Sequence, residues 1–322
     1  MPTVFTAQQV HAALDWGTLD SALTAAFAVG ADVPLRHSHA LNNVDALLLM
    51  PAWTRESIGL KVVTFIPGAP VLGAPTVGAT YLLFDRATGQ VQAVMDGDAI
   101  TVRRTAVVSA IAARCMARAN ARTLLMIGTG HLSPWMVRAH CALQPTIQHV
   151  AIWGRDTQRA NALAARLRAE GLPVDVATDL EGAVGASDIV SCATTSRSPI
   201  VRGEWLSPGT HVDLVGGFTR EMREVDDDAV AHSRIVVDSY QGALSEAGDL
   251  LVPLERGVIT RAQVVAELAE LVRGEEVGRL NAQEITLFKS VGTALADLAA
   301  ARSVFAYFGG VDRRDLHGQS EL

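Results

Sequence analysis

The stretch TLLMIGTGHLSP (Thr123–Pro134) decides the fold class, because a short apolar strand runs directly into a glycine-rich turn and the start of a helix. Within it, GTGHLS follows the pattern GxGxxG with serine in the third glycine position. Gly128 permits a tight turn, Gly130 lets the backbone approach a pyrophosphate, and the small Ser133 allows the helix to pack closely on the strand. The free N–H groups and positive dipole end of the helix attract phosphates. The stretch therefore predicts a dinucleotide site, whose loop residues are Gly128, Thr129, Gly130, His131, Leu132 and Ser133.

Downstream of this loop, short apolar segments alternate with amphipathic helical segments. Fully apolar strands are typical of a parallel sheet covered by helices on both faces, as in repeated βαβ units. Two later segments, RAQVVAELAELVRG and TLFKSVGTALADLAAARSVFAYF, are predicted to be helices. We therefore predict a Rossmann domain in the middle of the chain. Its predicted strands are TLLMIG, HVAIW, PVDVA, DIVSCA, HVDLVG and RIVVDS.

Upstream of the loop, the pattern is that of an α+β domain. Residues 7–30 have apolar positions at helical spacing, and three later segments have the composition of strands separated by Gly and Pro. A helix is predicted through ITVRRTAVVSAIAARCMAR, with Asp98 or Thr101 as its N-cap and an end near Asn120. These features predict an antiparallel sheet with flanking helices. The predicted strands are KVVTFIP (Lys61–Pro67), ATYLLFD (Ala79–Asp85) and VQAVMD (Val91–Asp96).

Composition excludes several classes of function. The 322 residues, 49% of them hydrophobic and 19% charged, predict two compact globular domains. A net charge of -7 with scattered arginines provides no basic surface for nucleic acid. There is no signal-peptide pattern and no apolar run near the ~20 residues that span a bilayer, so we expect a cytoplasmic protein without a membrane partner.

Cysteine and histidine usage points the same way. Three cysteines without a CxxC pair predict buried thiols in a reducing compartment rather than disulfides. His37 and His39 share one face of a predicted strand, but no further ligand stands at metal-binding spacing. We therefore predict no metal site.

The segment WGRDT, after the second strand of the predicted Rossmann domain, bears on the choice of cofactor. NAD-binding domains usually carry Asp or Glu there, about 20 residues after the glycine loop, to bond the ribose 2′-hydroxyl. Gly154 takes that place here, and Arg155, Thr157 and Arg159 follow. A guanidinium can bind a 2′-phosphate through two hydrogen bonds, so the segment favours NADP(H). The alternative is a solvated helix start with Asp156 as its N-cap.

Three positions in the N-terminal region carry cations at the ends of apolar segments, namely Arg36, Lys61 and the pair Arg103-Arg104. Reduction of an imino acid needs a cation that holds the carboxylate and a proton source near the nitrogen. Arginine suits the first role and lysine the second. Spacing alone leaves these residues as candidates, since a lysine that starts a strand is commonly a solvated edge residue.

Seven blocks follow one another along the chain: PLRHSH, LLLMPAW, GLKVVTF, TYLLFD, TVRRTAVVSAIAA, GTGHLSP and EITLFKSVGTALADLAAA. In this order they resemble the ornithine cyclodeaminase and mu-crystallin family over nearly the whole chain. The blocks LLLMPAW, GTGHLSP and VGGFTREMRE resemble the bacterial pyrroline-2-carboxylate and piperideine-2-carboxylate reductases of that family in particular.

The resemblance implies a role for each candidate. It implies that Arg36, Lys61 and Arg104 bind a substrate carboxylate, with Lys61 also close to the reacting carbon or nitrogen. The family motif Arg-Thr-Ala selects Arg104, and Arg103, about 100° further round a helix, would face elsewhere. The residues implied to lie near the nicotinamide are Thr194, Thr195, Ser290 and Gly292.

The resemblance also implies the domain organisation. The fold class is α/β, with a central Rossmann domain and an α+β domain for substrate binding and dimerisation. Residues 1–118 and 295–322 are expected to form the substrate and dimerisation domain, and residues 119–294 the Rossmann domain that binds NADP. The expected assembly is a homodimer.

One departure from the family bears on the reaction. Cyclodeaminases of the family carry an aspartate directly after the paired glycines that follow the fifth strand, whereas this chain has Phe218 after Gly216-Gly217. We therefore expect NADPH-dependent reduction of the C=N bond of 1-pyrroline-2-carboxylate or 1-piperideine-2-carboxylate, giving L-proline or L-pipecolate. The alternatives are an alanine or opine-type amino-acid dehydrogenase, an ornithine cyclodeaminase on the same scaffold, and a non-catalytic protein that binds cofactor or ligand, like mu-crystallin.

Overall fold

The computed structural model describes residues 1–309, and of Pro70 only the backbone. The chain divides into two compact units. Unit 1 comprises residues 1–104 and the described chain from Thr293 onward, and unit 2 is Thr105–Gly292. The division therefore falls inside a helix, Gly97–Met116, whereas the predicted boundary near residue 118 follows its end. The part of the predicted range beyond residue 309 lies outside the described residues.

Unit 1 is an antiparallel sheet with flanking helices, as the sequence predicts. Its elements are β1 (Thr3–Phe5), α1 (Ala7–Ala13), α2 (Trp16–Val29), β2 (His37–Ala40), β3 (Ala46–Trp53), β4 (Ser57–Phe65), a 3-10 turn (Ala69–Leu72), β5 (Val77–Asp85), β6 (Val91–Asp96), the part of α3 (Gly97–Met116) up to Arg104, and α11 (Ala294–Tyr307). The strand order is β1-β6-β5-β4-β3-β2; neighbours from β2 to β6 pair antiparallel, and β1 pairs parallel to β6. Strand β4 is an inner strand because it pairs with β3 and β5, and helix α11 packs on α2, β3 and β4.

The start of α3 differs from the prediction. Asp96, the last residue of β6, accepts a hydrogen bond from the N–H of Ala99 at 2.8 Å, so Asp96 and not Asp98 caps the helix. Thr101, the other predicted cap, lies within the first turns and donates its hydroxyl to the carbonyl of Gly97 at 2.7 Å. Periodicity locates the helix well, but the cap depends on where β6 ends.

Unit 2 is a doubly wound α/β unit. Its elements are β7 (Thr123–Ile127), α4 (Ser133–Leu143), β8 (His149–Trp153), α5 (Thr157–Ala169), β9 (Val174–Val176), α6 (Leu180–Gly185), β10 (Ile189–Cys192), β11 (His211–Leu214), α7 (Asp227–Ala231), β12 (Ser233–Val237), α8 (Tyr240–Glu246), α9 (Gly248–Glu255), β13 (Val264–Glu267), α10 (Leu268–Arg273) and β14 (Ile285–Lys289). The strands pair in parallel in the order β13-β12-β14-β11-β10-β7-β8-β9. The order reverses beside β7, which is where such sheets bind dinucleotides. Unit 2 is therefore a Rossmann domain, as predicted.

Two strands of unit 2 lie in segments that the sequence predicts to be helical. Strand β13 lies in RAQVVAELAELVRG, and β14 opens the segment TLFKSVGTALADLAAARSVFAYF. Strand β14 lies between β11 and β12, and Leu287, Phe288 and Lys289 are fully buried there. The helix predictions were wrong for these residues for two reasons. Periodicity cannot distinguish a short run such as β14, which is buried on both faces, from a buried helix. The edge strand β13 has only four residues and leads directly into α10.

The remaining composition-based expectations concern cysteines and membrane spans. The three cysteines form no disulfide, and Cys192 is buried in the core of unit 2. Among the helices of residues 1–309, none combines the length and apolarity that a membrane crossing requires.

Candidate functional site

Lys61 occupies the middle of β4, opposite Met50 of β3 on one side and Tyr81 of β5 on the other. Its side chain is 2% exposed. The interpretation of Lys61 as a solvated edge residue is therefore wrong, because β4 is an inner strand and the amino group of Lys61 lies inside unit 1. A buried ammonium is stable only with charged or polar partners.

Asp297, in the first turn of α11, supplies that partner and joins Lys61 to Arg104. The Nζ of Lys61 lies 2.8 Å from Oδ2 of Asp297, and the Nε of Arg104 donates to Oδ1 at 2.9 Å. None of the three side chains is more than 5% exposed. The Nζ of Lys61 also donates to the hydroxyl of Thr101 at 3.3 Å. We call Lys61, Arg104 and Asp297 the Lys61 cluster.

The charges of the Lys61 cluster shift one another's pKa values. Burial lowers the pKa of Lys61 to about 8, against the opposing attraction of Asp297 and with the help of Arg104 and Arg36. Burial by itself would raise the pKa of Asp297, but the charges of Arg104 and Lys61 hold it below its usual value. The cluster therefore carries two cations and one anion. One of the cations, the ammonium of Lys61, can release its proton near neutral pH.

The two neighbouring arginines of α3 have different surroundings. Arg103 donates from Nη2 to the carbonyl of His11 at 2.9 Å, and its guanidinium lies 4.3 Å from the ring centroid of Trp16. Arg104 instead donates from Nε to Oδ1 of Asp297 at 2.9 Å. The helical rotation between adjacent residues separates them, as the sequence predicts.

Sequence reasoning missed Asp297. The available signal was a single carboxylate among apolar residues in ALADLAAA, where a charged side chain on a buried helix face needs a partner. Its partner Arg104 lies 193 residues earlier in the chain, so the pair becomes visible only in the folded unit.

The glycine loop of unit 2 has the geometry that a dinucleotide requires. Gly128 adopts φ +121°, and a Cβ there would lie 2.6 Å from the carbonyl oxygen of Ala193. A Cβ at Gly130 would meet nothing within 4 Å, so the backbone faces open space. Ser133 is fully buried at the start of α4, and the helix has no side-chain N-cap. The open glycine and the uncapped N-terminus fit the pyrophosphate of a dinucleotide.

The segment after β8 begins α5 and adjoins the glycine loop. Asp156 caps α5 by accepting from the N–H groups of Gln158 and Arg159 at 2.9 and 3.2 Å, as the alternative predicts. A Cβ at Gly154 would lie 2.6 Å from Cγ2 of Thr129, so the position adjoins the glycine loop. All five residues around this helix start are exposed, namely Arg155, Asp156, Thr157, Gln158 and Arg159.

The remaining predicted cofactor residues lie at the same carboxyl edge of the unit 2 sheet. Thr194 and Thr195 follow β10, and Ser290 and Gly292 follow β14. Asp238, directly after β12, accepts from the Ser290 hydroxyl at 2.8 Å and from the Gly292 N–H at 2.7 Å. The sequence-predicted residues thus form two groups, the carboxylate-binding candidates in unit 1 and the dinucleotide candidates in unit 2.

Comparisons with known proteins identify the family. The family model for the ornithine cyclodeaminase/mu-crystallin family matches residues 4–309. A Delta(1)-pyrroline-2-carboxylate reductase of Colwellia psychrerythraea is 35% identical over 309 residues, 94% of this chain and 98% of that protein. The Thermococcus litoralis Delta(1)-pyrroline-2-carboxylate reductase in complex with NADH and L-proline has a TM-score of 0.90 and 32% identity over 98% of both chains. An archaeal alanine dehydrogenase dimer with bound NAD has a TM-score of 0.90 and 29% identity over 95% of both chains. The chain therefore belongs to the ornithine cyclodeaminase/mu-crystallin family.

Proposed function

We propose that the protein reduces the C=N bond of the cyclic imino acids 1-pyrroline-2-carboxylate and 1-piperideine-2-carboxylate with NADPH, giving L-proline and L-pipecolate. The observation that carries the proposal is the Lys61 cluster, in which a lysine and an arginine share one carboxylate away from water. The similarity to pyrroline-2-carboxylate reductases supports the substrate class. A non-catalytic binding role would leave a buried, proton-releasing lysine without a purpose.

Arg104 and Arg36 bind the substrate carboxylate in this proposal. Of the donors of Arg104, only Nε bonds Asp297 among the described contacts. The guanidinium has further N–H donors in the same plane, and these can bind the substrate carboxylate. The Lys61 cluster has a net charge of +1, from two cations and one anion, so an anionic substrate neutralises it. Because the carboxylate is charged before and after reduction, these arginines contribute binding more than rate.

Lys61 is the proton donor for the ring nitrogen of the substrate in this proposal. With a pKa of about 8, its ammonium is mostly protonated at pH 7 and can still transfer its proton. Asp297 and Thr101 hold Nζ in place, so Lys61 keeps the ring nitrogen of the substrate protonated, and an iminium accepts hydride better than a neutral imine. The bound nicotinamide supplies that hydride.

The NADPH part of the proposal predicts a selective effect at Arg155. Replacing Arg155 by Ala removes a charge-assisted contact with the 2′-phosphate, and because the side chain is exposed we expect a rise of about tenfold in the KM for NADPH. The KM for NADH should hardly change. Steady-state kinetics with both cofactors measure this, with Arg166→Ala, at an exposed position of the helix α5 that follows Arg155, as the matched control. Equal losses with both cofactors would assign Arg155 a structural role.

We propose a homodimer, which should have a mass of about twice 34.1 kDa in solution. Strand β2 ends the unit 1 sheet and is exposed along its length, and the hairpin that follows it exposes Leu41 and Val44 by 56% and 64%. An unpaired edge with apolar neighbours favours association with a second copy. Light scattering coupled to gel filtration measures the mass, and a monomer at every concentration would contradict the proposal.

One assay tests the reaction itself, namely NADPH oxidation with the five- and six-membered cyclic imino acids. The second candidate is alanine dehydrogenase, which the equally high TM-score of the archaeal alanine dehydrogenase favours. Reduction of the oxidised cofactor in the presence of alanine would distinguish an alanine dehydrogenase from a cyclic imino acid reductase. Phe218 packs against the apolar core of unit 2, so no carboxylate stands at that position for deamination. Ammonia release from ornithine would overturn the proposal.

A further inference from the structure

A second buried charge cluster lies in unit 2, and the proposed reaction does not use it. Glu224, Asp249 and Lys289 are each 0% exposed, and we call them the Glu224 cluster. The Nζ of Lys289 donates to Oδ2 of Asp249 at 2.8 Å and lies 3.9 Å from Oε2 of Glu224. Burying charged groups is costly unless each of them is paired. The three side chains are therefore expected to keep the positions in which their charges are paired.

Glu224 joins two loops that follow neighbouring strands. Its Oε1 accepts from the N–H and the hydroxyl of Thr194, after β10, at 2.7 and 3.0 Å. Its Oε2 accepts from the N–H groups of Gly216 and Gly217, after β11, at 2.8 and 3.1 Å. A Cβ at Gly216 would lie only 2.0 Å from the carbonyl oxygen of Thr194, so the loops touch through their backbones.

Asp249 and Lys289 hold Glu224 itself. Oδ1 of Asp249 accepts from the backbone N–H of Glu224 at 2.7 Å, while Oδ2 receives the Lys289 ammonium. Helix α9 thus holds the backbone of Glu224, and Lys289 of strand β14 faces its carboxylate. The loops after β10 and β11 are therefore joined by a single residue, Glu224. Its backbone N–H bonds Asp249, and its carboxylate faces Lys289.

The strand order locates these loops relative to the cofactor motif. A dinucleotide lies across the carboxyl ends where the order reverses, with one nucleotide on each side. Arg155 follows β8, on the side proposed for the adenosine phosphate, and the loops held by Glu224 follow β10 and β11, on the other side of β7. Gly128 adjoins the start of the β10 loop, since its Cβ would meet Ala193.

We propose that Glu224 is a positioning residue that holds the loops after β10 and β11 for the nicotinamide half of the cofactor. The inference rests on the proposed function, since it requires a bound dinucleotide. It assigns Glu224 no contact with the substrate or with the reacting atoms.

The test is Glu224→Gln, with binding of NADPH compared with binding of 2′,5′-ADP, which lacks the nicotinamide. The amide cannot accept at both ends, so one loop loses its acceptor. The fold should survive, because Asp249 and Lys289 remain as a one-to-one ion pair. We expect the Kd for NADPH to rise and kcat to fall, each by about tenfold or more, which is the effect of one lost charged hydrogen bond. The Kd for 2′,5′-ADP should not change.

The pH dependence of binding separates positioning from a general loss of structure. Burial and the charge of Asp249 raise the pKa of Glu224 to about 7, although Lys289 and the backbone donors oppose the shift. The titratable groups around it are Asp249 on α9, Lys289 on β14 and Cys192 on β10. Below about pH 7 protonation removes an acceptor, so wild-type affinity for NADPH should weaken relative to 2′,5′-ADP. This pH dependence should be absent in Glu224→Gln.

Asp188→Asn is the matched control. Asp188 also bonds several donors, including the N–H groups of Arg122 and Thr123 at 2.7 and 3.0 Å, but it lies at the amino ends of β7 and β10. It should lower the unfolding temperature without changing either affinity. Unchanged NADPH affinity and kcat in Glu224→Gln, or an equal loss for NADPH and 2′,5′-ADP, would overturn the inference. Wild-type protein that binds neither compound would instead overturn the proposed function.

Discussion

Replacing Lys61 by methionine is expected to lower kcat by about 10²- to 10⁴-fold, the usual effect of removing an acid or base from a reaction. Methionine keeps the apolar stem of the side chain and deletes the proton. The fold should persist, because Asp297 and Arg104 remain as a one-to-one ion pair at 2.9 Å. Steady-state kinetics with 1-pyrroline-2-carboxylate and NADPH measure the loss, and the unfolding temperature serves as the control for structure.

The pH profile gives the same prediction a second readout. In the wild type, kcat/KM should fall as pH rises through about 8, because the free enzyme loses the Lys61 proton there. Lys61→Met should lack this decline, whereas Arg104→Lys should retain it and chiefly raise the KM for the imino acid. Near-normal kcat in Lys61→Met, or an unchanged alkaline decline, would show that Lys61 is not the proton source.

Replacing Asp297 by asparagine is expected to be the most destabilising change in unit 1. It leaves two buried cations, Lys61 and Arg104, without their shared anion, and breaking a buried ion pair in this way costs about 3–5 kcal/mol of unfolding free energy. The pKa of Lys61 should fall further below its usual value, because the charge of Asp297 opposes the effect of burial. Urea unfolding measures the first effect, and an alkaline decline of kcat/KM at lower pH measures the second.

The double variant Asp297→Asn, Lys61→Met separates charge from packing. Its cluster has one buried cation without its anion, Arg104, where Asp297→Asn has two, so part of the lost stability should return while activity stays low. The two changes are expected to be strongly non-additive, as for residues in direct contact. Additive losses of unfolding free energy would contradict the electrostatic account of the Lys61 cluster.

Much of the Rossmann domain can be predicted because its signals are local. The turn at Gly128 requires a positive φ, the packing at Ser133 requires a small side chain, and both requirements lie within six residues of one strand. The six strands predicted from apolar runs between Thr123 and Ser239 all occur in the parallel sheet. Strand β14 escapes prediction because a run buried on both faces carries no periodic signature, and β13 because its alternation covers only four residues before α10 begins.

From the sequence alone follow six strands of the parallel sheet, the dinucleotide loop and a short set of candidate cations. Spacing left Lys61 open to a solvated interpretation, and nothing in its surroundings along the chain names Asp297 as its partner. Contact with α11 and the inner position of β4 settle both questions, because a buried charge is stable only where distant elements bring an opposite charge to hydrogen-bonding distance. The same holds for Glu224, whose donors come from loops that separate strands bring to one edge of the sheet. Tertiary structure therefore decided the charge partners, since burial and pairing depend on contacts between residues far apart in the chain.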